Sequence, residues 1–432
     1  MSELLVLGGG PAGVAAAREG ARRGARVTLV ERAALGGTCV HAGCIPSGAY
    51  HRTADLVADL GEAGAAGVAC GPADVDWGRM HAWASSVVEE AARLTRLGLE
   101  SAGVEVLAGA ARFTGPGAVD VEGRAFERVP VVLATGAIEL PPELPVRPAC
   151  PVWGSAEAMA AERAPASLVV LGAGRFGLEW ADFFARLGSD VTVVEPGPRV
   201  LPDHDADVAG FLQLTLEERG VRFRVGAPLE EGALAADTIL SADRRAPSLE
   251  GLQVEAGGAT LDAAGAVEVD DRCRTQAPDL WAAGDVTGPP WLSNRARAMG
   301  TAAAAGALGE PRRVRFERLP RSVNTRPELA AVGLTEEEAA SRGLQVATGF
   351  GELTTSLRAI TLGTAAGALK VVVDREFGEI LGAHMVGVGA TEVIAQVALA
   401  MELEADYRDL LKVHHLHPSL AELVTDAVAS VE

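Results

Sequence analysis

The stretch Leu4-Leu5-Val6-Leu7-Gly8-Gly9-Gly10-Pro11-Ala12-Gly13 decides the fold. A four-residue apolar run closed by three glycines reads as a buried strand ending in a tight turn. Gly8-Gly9-Gly10-Pro11-Ala12-Gly13 is the turn, and an Ala-rich helix follows to about Arg23. Arg26-Val27-Thr28-Leu29-Val30 is then a second strand, closed by Glu31. Residues 4–31 therefore read as one βαβ unit of the dinucleotide-binding kind. Gly8 makes the turn, Gly10 lets the backbone approach a pyrophosphate, and Gly13 allows close helix packing. The N-terminus of the helix that follows supplies N–H groups and a dipole for the phosphates. Glu31 can accept from a ribose hydroxyl. A glycine turn without a ligand is the plain alternative, and the flanking strands with the placed acid argue against it.

The same pattern recurs at residues 167–195. Ser167-Leu168-Val169-Val170-Leu171 leads into Gly172-Ala173-Gly174-Arg175-Phe176-Gly177, a helix through Leu187, and a strand ending at Glu195. Glu195 favours a free ribose hydroxyl and so NAD over NADP, although Arg199 lies close enough to blur that preference. Two such units mean two dinucleotides, or one live site and one vestige.

Directly after the first unit comes Gly36-Gly37-Thr38-Cys39-Val40-His41-Ala42-Gly43-Cys44-Ile45-Pro46-Ser47. A five-residue offset slightly exceeds one helical turn, so the two sulfurs meet only if the helix start is distorted. The glycines and Pro46 permit that distortion. Five cysteines in 432 residues are too few and too scattered for a disulfide scaffold. The pair is then catalytic, metal-binding or incidental; a metal would need two further ligands, and none sits nearby. No metal site is expected.

The formal net charge of -20 argues against nucleic acid or an anionic membrane as partner. The N-terminus reads as a first strand rather than a signal peptide, and no apolar run is long enough to span a bilayer, so a cytoplasmic protein is expected. Residues 51–100 carry helical periodicity, and 103–135 read as short strands ending in Ala134-Thr135-Gly136. Leu280–Val286 is a buried strand closed by Gly284-Asp285, and 294–308 an Ala-rich helix. Pro311 to about Leu319 marks a domain boundary, followed by strands and helices. Near the C-terminus, His414, His415 and His417 precede Pro418 and Glu422. A solvated His-rich loop is the plainer reading; a histidine oriented by the following carboxylate is the sharper one.

Taken together, GGTCVHAGCIPS, both glycine turns, Ala134-Thr135-Gly136, Ala283-Gly284-Asp285, Thr335–Ala339 and His417-Pro418 with Glu422 resemble the class I pyridine nucleotide-disulfide oxidoreductases. That family includes dihydrolipoamide dehydrogenase and the glutathione, mycothione and mercuric reductases. The resemblance implies an α/β fold with two Rossmann-like dinucleotide-binding domains and a C-terminal α+β dimerisation domain. Residues 1–150, completed by 276–310, would be the FAD-binding domain. Residues 151–275 would be the NAD(P)-binding-like domain, and 311–432 the dimerisation domain. FAD contacts would come from Gly8, Gly10, Pro11, Ala12, Gly13, Glu31, Arg32, Gly37, Thr38, Thr135, Gly136 and Asp285. Gly172, Gly174, Glu179 and Glu195 would line the NAD-like site. Cys44 would be the charge-transfer thiol beside the flavin, and Cys39 the interchange thiol facing a small dithiol or disulfide substrate. His417, held by Glu422, would be the acid/base, serving the cysteines of the other subunit in a homodimer. A nearby imidazole makes the thiolate that exchange requires.

Three departures fall on the nicotinamide side. The family's lysine after Cys-Ile-Pro-Ser is Gly48, which removes the expected partner of Glu179. Arg175 stands where the family has a gating aromatic, and Asp243 where a glycine lies near the bound nucleotide. Arg175 and Glu179 are at i and i+4, so the arginine can replace the lysine and leave NAD(H) turnover working. The departures taken together point instead to an altered nicotinamide site and a dithiol oxidase that passes electrons from FAD to oxygen. An NAD-linked dihydrolipoamide dehydrogenase or low-molecular-weight disulfide reductase is the alternative, and a non-catalytic flavin-binding scaffold the third reading. His41, between the cysteines, is expected to pack or hydrogen-bond near the flavin.

Overall fold

Strand Glu3–Leu7 is the centre of a five-stranded parallel sheet in the order Leu280–Ala282, Val131–Leu133, Glu3–Leu7, Arg26–Glu31, Glu105–Ala108. The structure, a computed structural model, describes residues 2–144, 148–226, 228–229, 234–242 and 244–432. These strands are apolar runs because parallel sheets are covered on both faces. Residues next in sequence to the central strand lie on one side of it, and residues from far along the chain lie on the other. The crevice at its carboxyl end therefore opens above Gly8. Helix Pro11–Arg22 covers one face with helix Ser293–Ala307. The two helices touch backbone to backbone: a Cβ on Gly300 would lie 2.0 Å from the Ala12 carbonyl oxygen. An antiparallel meander, Ala111–Gly115, Ala118–Val121 and Arg124–Glu127, buries Phe113, Val119 and Val121 in the same core as Leu5 and Leu7.

By compactness the chain divides into two units, one of residues 1–50, 75–141 and 244–316, the other of 51–74, 142–243 and 317–432. The expected domains, 1–150 completed by 276–310, 151–275 and 311–432, are a finer division than these two units, and strand pairing and ion pairs account for where residues 244–275 and 51–74 fall. Residues 244–275 join the first unit because strand Arg245–Pro247 pairs antiparallel with Ala137–Glu139. Residues 51–74 join the second because helix Cys44–Glu62 is anchored there over its later turns. Arg186, 6% exposed, donates to Asp55 at 2.5 Å and to His51 Nδ1 at 3.0 Å, and pairs with Asp182 at 2.8 Å. Burial first, and Arg186 second, hold the His51 pKa down to about 3, so this imidazole is neutral and accepts at Nδ1. Burial pushes Asp182 up to about 6 against the pull of Arg186 and Arg219. Arg326 reaches Asp59 at 2.7 Å and Glu62 at 2.8 Å.

The second unit contains another parallel sheet, in the order Arg222–Val225, Asp190–Glu195, Ser167–Leu171, Thr238–Ser241, Val152–Trp153. Its helix Arg175–Arg186 buries Leu178, Trp180, Phe183 and Phe184. A five-stranded antiparallel sheet follows, Arg321–Val323, Leu329–Gly333, Ile380–Val386, Ala368–Asp374, Val346–Glu352, backed by helices Ala390–Glu402 and Glu422–Ala429. One division between the two units follows Phe316. No helix among the described residues is long and apolar enough to cross a membrane.

Lys370, buried on strand Ala368–Asp374, ties this sheet to helix Ala206–Glu218. Its Nζ lies 2.6 Å from Asp207, 2.7 Å from Glu336 and 3.1 Å from Asp205. Burial alone would lower the lysine pKa, but the bonds to Asp207 and Glu336 and the charge of Asp205 raise it above its ordinary 10.5. A raised lysine pKa stabilises the fold fully below the unfolded value, and that contribution is lost as pH climbs through the folded one. Lys370→Met should cost about 3 kcal/mol, since it leaves the Asp205 carboxylate buried without its cation. Denaturant unfolding of parent and variant should show a constant gap from neutral pH to about 10, closing only above the ordinary lysine range. A gap that closed already between about pH 7 and 10 would place the effect elsewhere.

Candidate active site

Both glycine turns have the geometry that a pyrophosphate cradle requires. In the first, Gly8 has φ +105, and a Cβ on Gly13 would lie 1.8 Å from the Gly8 carbonyl oxygen. Gly10 is the N-cap of the helix begun by Pro11, with Ala12 facing Gly284 and Gly300. Glu31 is fixed from both sides, its Oε2 accepting from Gly9 N–H at 2.6 Å and Oε1 from Ala33 N–H at 2.8 Å. In the second, Gly172 has φ +93 and a Cβ on Gly177 would lie 2.2 Å from the Gly172 oxygen. Gly174 is the N-cap, and Glu195 accepts from Ala173 N–H at 2.8 Å and Gly197 N–H at 2.6 Å.

The first unit gathers the other expected flavin contacts. Gly36 N–H donates to the Gly9 carbonyl at 2.8 Å, which ties the loop before the cysteines to the turn. Gly37, φ +56, approaches Gly10 so closely that a Cβ there would lie 2.9 Å from the Gly10 Cα. Thr38 is in the short helix Gly37–His41. Arg32 donates to Ser248 at 3.1 Å. The Gly136 carbonyl accepts from Ser248 N–H at 2.9 Å. Thr135 Oγ1 is buried with no hydrogen-bond partner among the described residues. Asp285 opens the 3-10 turn Asp285–Thr287, which Arg295 braces by donating to the Gly288 carbonyl at 3.0 Å. The side-chain-free cradle at Gly10 and Gly37 and the orphaned Thr135 hydroxyl fit a dinucleotide such as FAD.

The cysteines meet by a route other than a distorted helix start. Cys39 belongs to helix Gly37–His41, which stops at Ala42, and Cys44 is the first residue of helix Cys44–Glu62. The chain breaks and restarts between them, with Ala42 N–H on the Thr38 carbonyl at 2.9 Å. His41 bonds the Leu35 carbonyl through Nε2 at 2.9 Å. The Cys44 thiol hydrogen-bonds Cys39, which with burial pushes the Cys39 pKa far upward; the Ser293 hydroxyl and the Arg297 charge pull it the other way. Cys39 therefore holds its proton more tightly than an ordinary thiol. Cys44 Sγ stands at a helix N-terminus, where a thiolate is favoured, 3.2 Å from Ser293 Oγ. Burial pushes the remote Cys273 thiol up to about 12, which leaves it inert.

In the second unit His417 Nδ1 lies 2.9 Å from Glu422 Oε1, and Glu422 Oε2 accepts from Ser419 N–H at 2.9 Å. The Ser419 bond and then His417 hold the Glu422 pKa below its ordinary value. An ionised Glu422 accepts from Nδ1–H, which leaves Nε2 as the proton-accepting edge of a ring that is 64% exposed. Glu179 is buried, its carboxylate accepting from Asn324 N–H at 3.0 Å. The Arg175 guanidinium lies over the Phe176 ring, 4.3 Å from its centre. Arg199 donates to the carbonyls of Leu201, Pro202 and His204, so it holds its own loop and does not blur the preference set by Glu195. Asp243 lies outside the described residues.

Ser293 and Arg295 are the functional residues that motif reading missed. Ser293 is 249 positions from the cysteine it bonds, and no local pattern marks it. Ser293→Ala should move the pH profile of dithiol alkylation upward by about one unit, the effect of one lost bond to a charged group. Iodoacetamide labelling of the reduced protein across pH, with the site read by mass spectrometry, measures this; an unmoved profile would remove Ser293 from the site.

Comparison with known proteins agrees with this geometry across the chain. The family model for pyridine nucleotide-disulphide oxidoreductases matches residues 2–309, and that for the family's dimerisation domain matches 319–428. A dihydrolipoyl dehydrogenase of Thermus scotoductus is 37% identical, covering 99% of this chain and 97% of that one. One from Haloferax volcanii is 36% identical, covering 99% and 95%. Among solved structures, LpdA of Mycobacterium tuberculosis superposes with a TM-score of 0.88 at 28% identity over 99% of both chains. The HOCl-induced flavoprotein disulfide reductase RclA of Escherichia coli does so at 0.86 and 29%, again over 99% of both. With its two glycine turns, its paired cysteines and its C-terminal sheet, the chain belongs to the pyridine nucleotide-disulphide oxidoreductases, FAD- and NAD(H)-binding flavoproteins that act on sulfur groups.

Proposed function

We propose that this flavoprotein exchanges two electrons between NAD(H) and a small dithiol or disulfide, in the manner of the dihydrolipoyl dehydrogenases it is similar to. One observation carries the nicotinamide half. The second glycine turn keeps every constraint of the first, from the φ of Gly172 to the doubly bonded Glu195. A turn released from nucleotide binding has no need of that fidelity. Arg175 opens the helix at this turn and adds positive charge where a pyrophosphate would dock, which suits a working site.

Bound FAD would supply or receive the electron pair beside Cys44. The chain's own residues do the rest. A substrate thiolate attacks Cys39 of the oxidised pair, forming a substrate–Cys39 disulfide as the Cys39–Cys44 bond breaks and Cys44 leaves as thiolate. The second substrate thiol displaces Cys39, closing the substrate disulfide and leaving two electrons on the enzyme dithiol. His417 Nε2 takes the substrate proton, with Glu422 holding the ring. In a homodimer built on the dimerisation domain, this histidine serves the dithiol of a second copy. Its exposure supports this, as does Leu416 beside it, an apolar side chain 86% exposed in the single chain. A cytoplasmic setting, reducing enough to keep the other three cysteines as thiols, fits the same reading.

The dithiol oxidase is the second reading, favoured by Gly48. A Cβ there meets nothing within 4 Å, so packing does not exclude the lysine that the family places at this position. Under the first reading, anaerobic NADH bleaches the flavin within the time of turnover, and Cys39→Ser keeps that step. The same variant loses dihydrolipoamide oxidation about a thousandfold or more. Stopped-flow reduction with NADH, NADPH and dihydrolipoamide tried separately decides between the readings. Bleaching by the dithiol alone, with recovery when air is admitted, would establish the oxidase. In that case Arg175→Tyr with Gly48→Lys should create NADH reduction.

A further inference from the structure

Helix Ser293–Ala307 begins at the dithiol and does not stop serving it there. Ser293 bonds Cys44, and Arg297 and Thr301 follow at successive i+4 positions, on the same face. Arg297 therefore lies about 6 Å further along the axis from Ser293. That face borders a groove of about 750 Å³, whose opposite wall is helix Pro11–Arg22 with Arg18 and Arg22 at i and i+4. The close seating of Gly300 on Ala12 brings the two walls together. Arg22 is paired with Glu19, whereas Arg18 and Arg297 have no carboxylate within ion-pair distance among the described residues. Both are exposed. The charge of Arg297 reaches Cys39.

Two unpaired arginines facing one groove are unexpected in a chain of net charge -20, where carboxylates outnumber cations 58 to 38. We infer that the groove admits the non-reacting part of the substrate, and that Arg297 and Arg18 select a dithiol or disulfide bearing a carboxylate near its sulfurs over a neutral one. The inference rests on the dithiol exchange proposed above and names its substrate class. The carboxylate docks between the arginines while the sulfurs stand at Cys39. Neither arginine touches the reacting atoms, so their effect belongs to binding and to discrimination between substrates.

Dihydrolipoate and dihydrolipoamide form a matched pair of probes, the same dithiol with a carboxylate or a neutral amide. The measurement is the second-order rate constant for anaerobic flavin reduction of the holoenzyme by each. The native enzyme should prefer dihydrolipoate by about tenfold at low salt, a preference that shrinks as added salt screens it. Arg297→Gln and Arg18→Gln should each cut the preference about threefold, and the double variant should abolish it. Arg297→Lys, which keeps the charge, should retain most of it and shows that the helix still folds. Equal rates for the two probes in the native enzyme would overturn the inference and leave the dithiol exchange standing, as would an undiminished preference in the double variant. Reduction by neither dithiol, with NADH still effective, would overturn both.

Discussion

A carbonyl oxygen occupies the place where a side chain would begin at both Gly13 and Gly177, 1.8 Å and 2.2 Å from the positions a Cβ would take. This contact seats each helix on the strand before it and aims the first N–H groups into the crevice of its sheet. Any side chain at either position would push the helix outward and carry the anion site with it. The acid at the end of the next strand completes the frame. Glu31 and Glu195 each bridge two backbone amides, so each carboxylate is set by the turn it braces. The Gly300–Ala12 approach extends the same economy of volume to the helix that carries Ser293.

Given that frame, the chemistry depends on inequality between two thiols. Cys39 is half-buried and bonded by the Cys44 sulfur, while Cys44 heads a helix and faces a hydroxyl. A pair with equal affinities for protons would give substrate and flavin no reason to address different sulfurs. His417 and Glu422 show a related division of labour: two bonds fix the carboxylate, and one ring nitrogen is left for proton transfer. Elsewhere buried charge serves construction. His51 is kept neutral so that it can accept from Arg186, and Lys370 gathers three carboxylates around one cation.

The parts of this molecule that were legible in its sequence are those whose cause is local. Glycine spacing, strand hydrophobicity and a terminal acid lie within thirty residues of one another, and they identified both nucleotide units. The cysteine pair was equally plain, but its geometry was misjudged: Ala42 and Gly43 end one helix and begin another instead of deforming one. Arg199 was read as blurring the preference for NAD over NADP, since its sequence distance from Glu195 allowed it and its three carbonyl acceptors could not be foreseen. What escaped reading altogether depends on distant segments folding together. Ser293 meets Cys44, and Lys370 meets Asp205, through tertiary structure alone. The split of helix Cys44–Glu62 between two compact units has the same origin, in Arg186 and Arg326.

Gly48 lies one turn into that helix, with Pro46 just before it and open space where its side chain would be. A glycine in a helix interior forfeits about 1 kcal/mol against alanine, and Pro46 contributes no amide hydrogen to the turn. The later turns are anchored by ion pairs to Arg186 and Arg326, whereas this first turn has no such pair among the described residues. The helix is therefore unevenly stable along its length, and amide hydrogens beside Cys44 should exchange with solvent sooner than those beside Asp55. Under the exchange proposed above, the sulfur that leaves one disulfide and re-forms it in each cycle is thus carried on the most easily loosened end of its own helix.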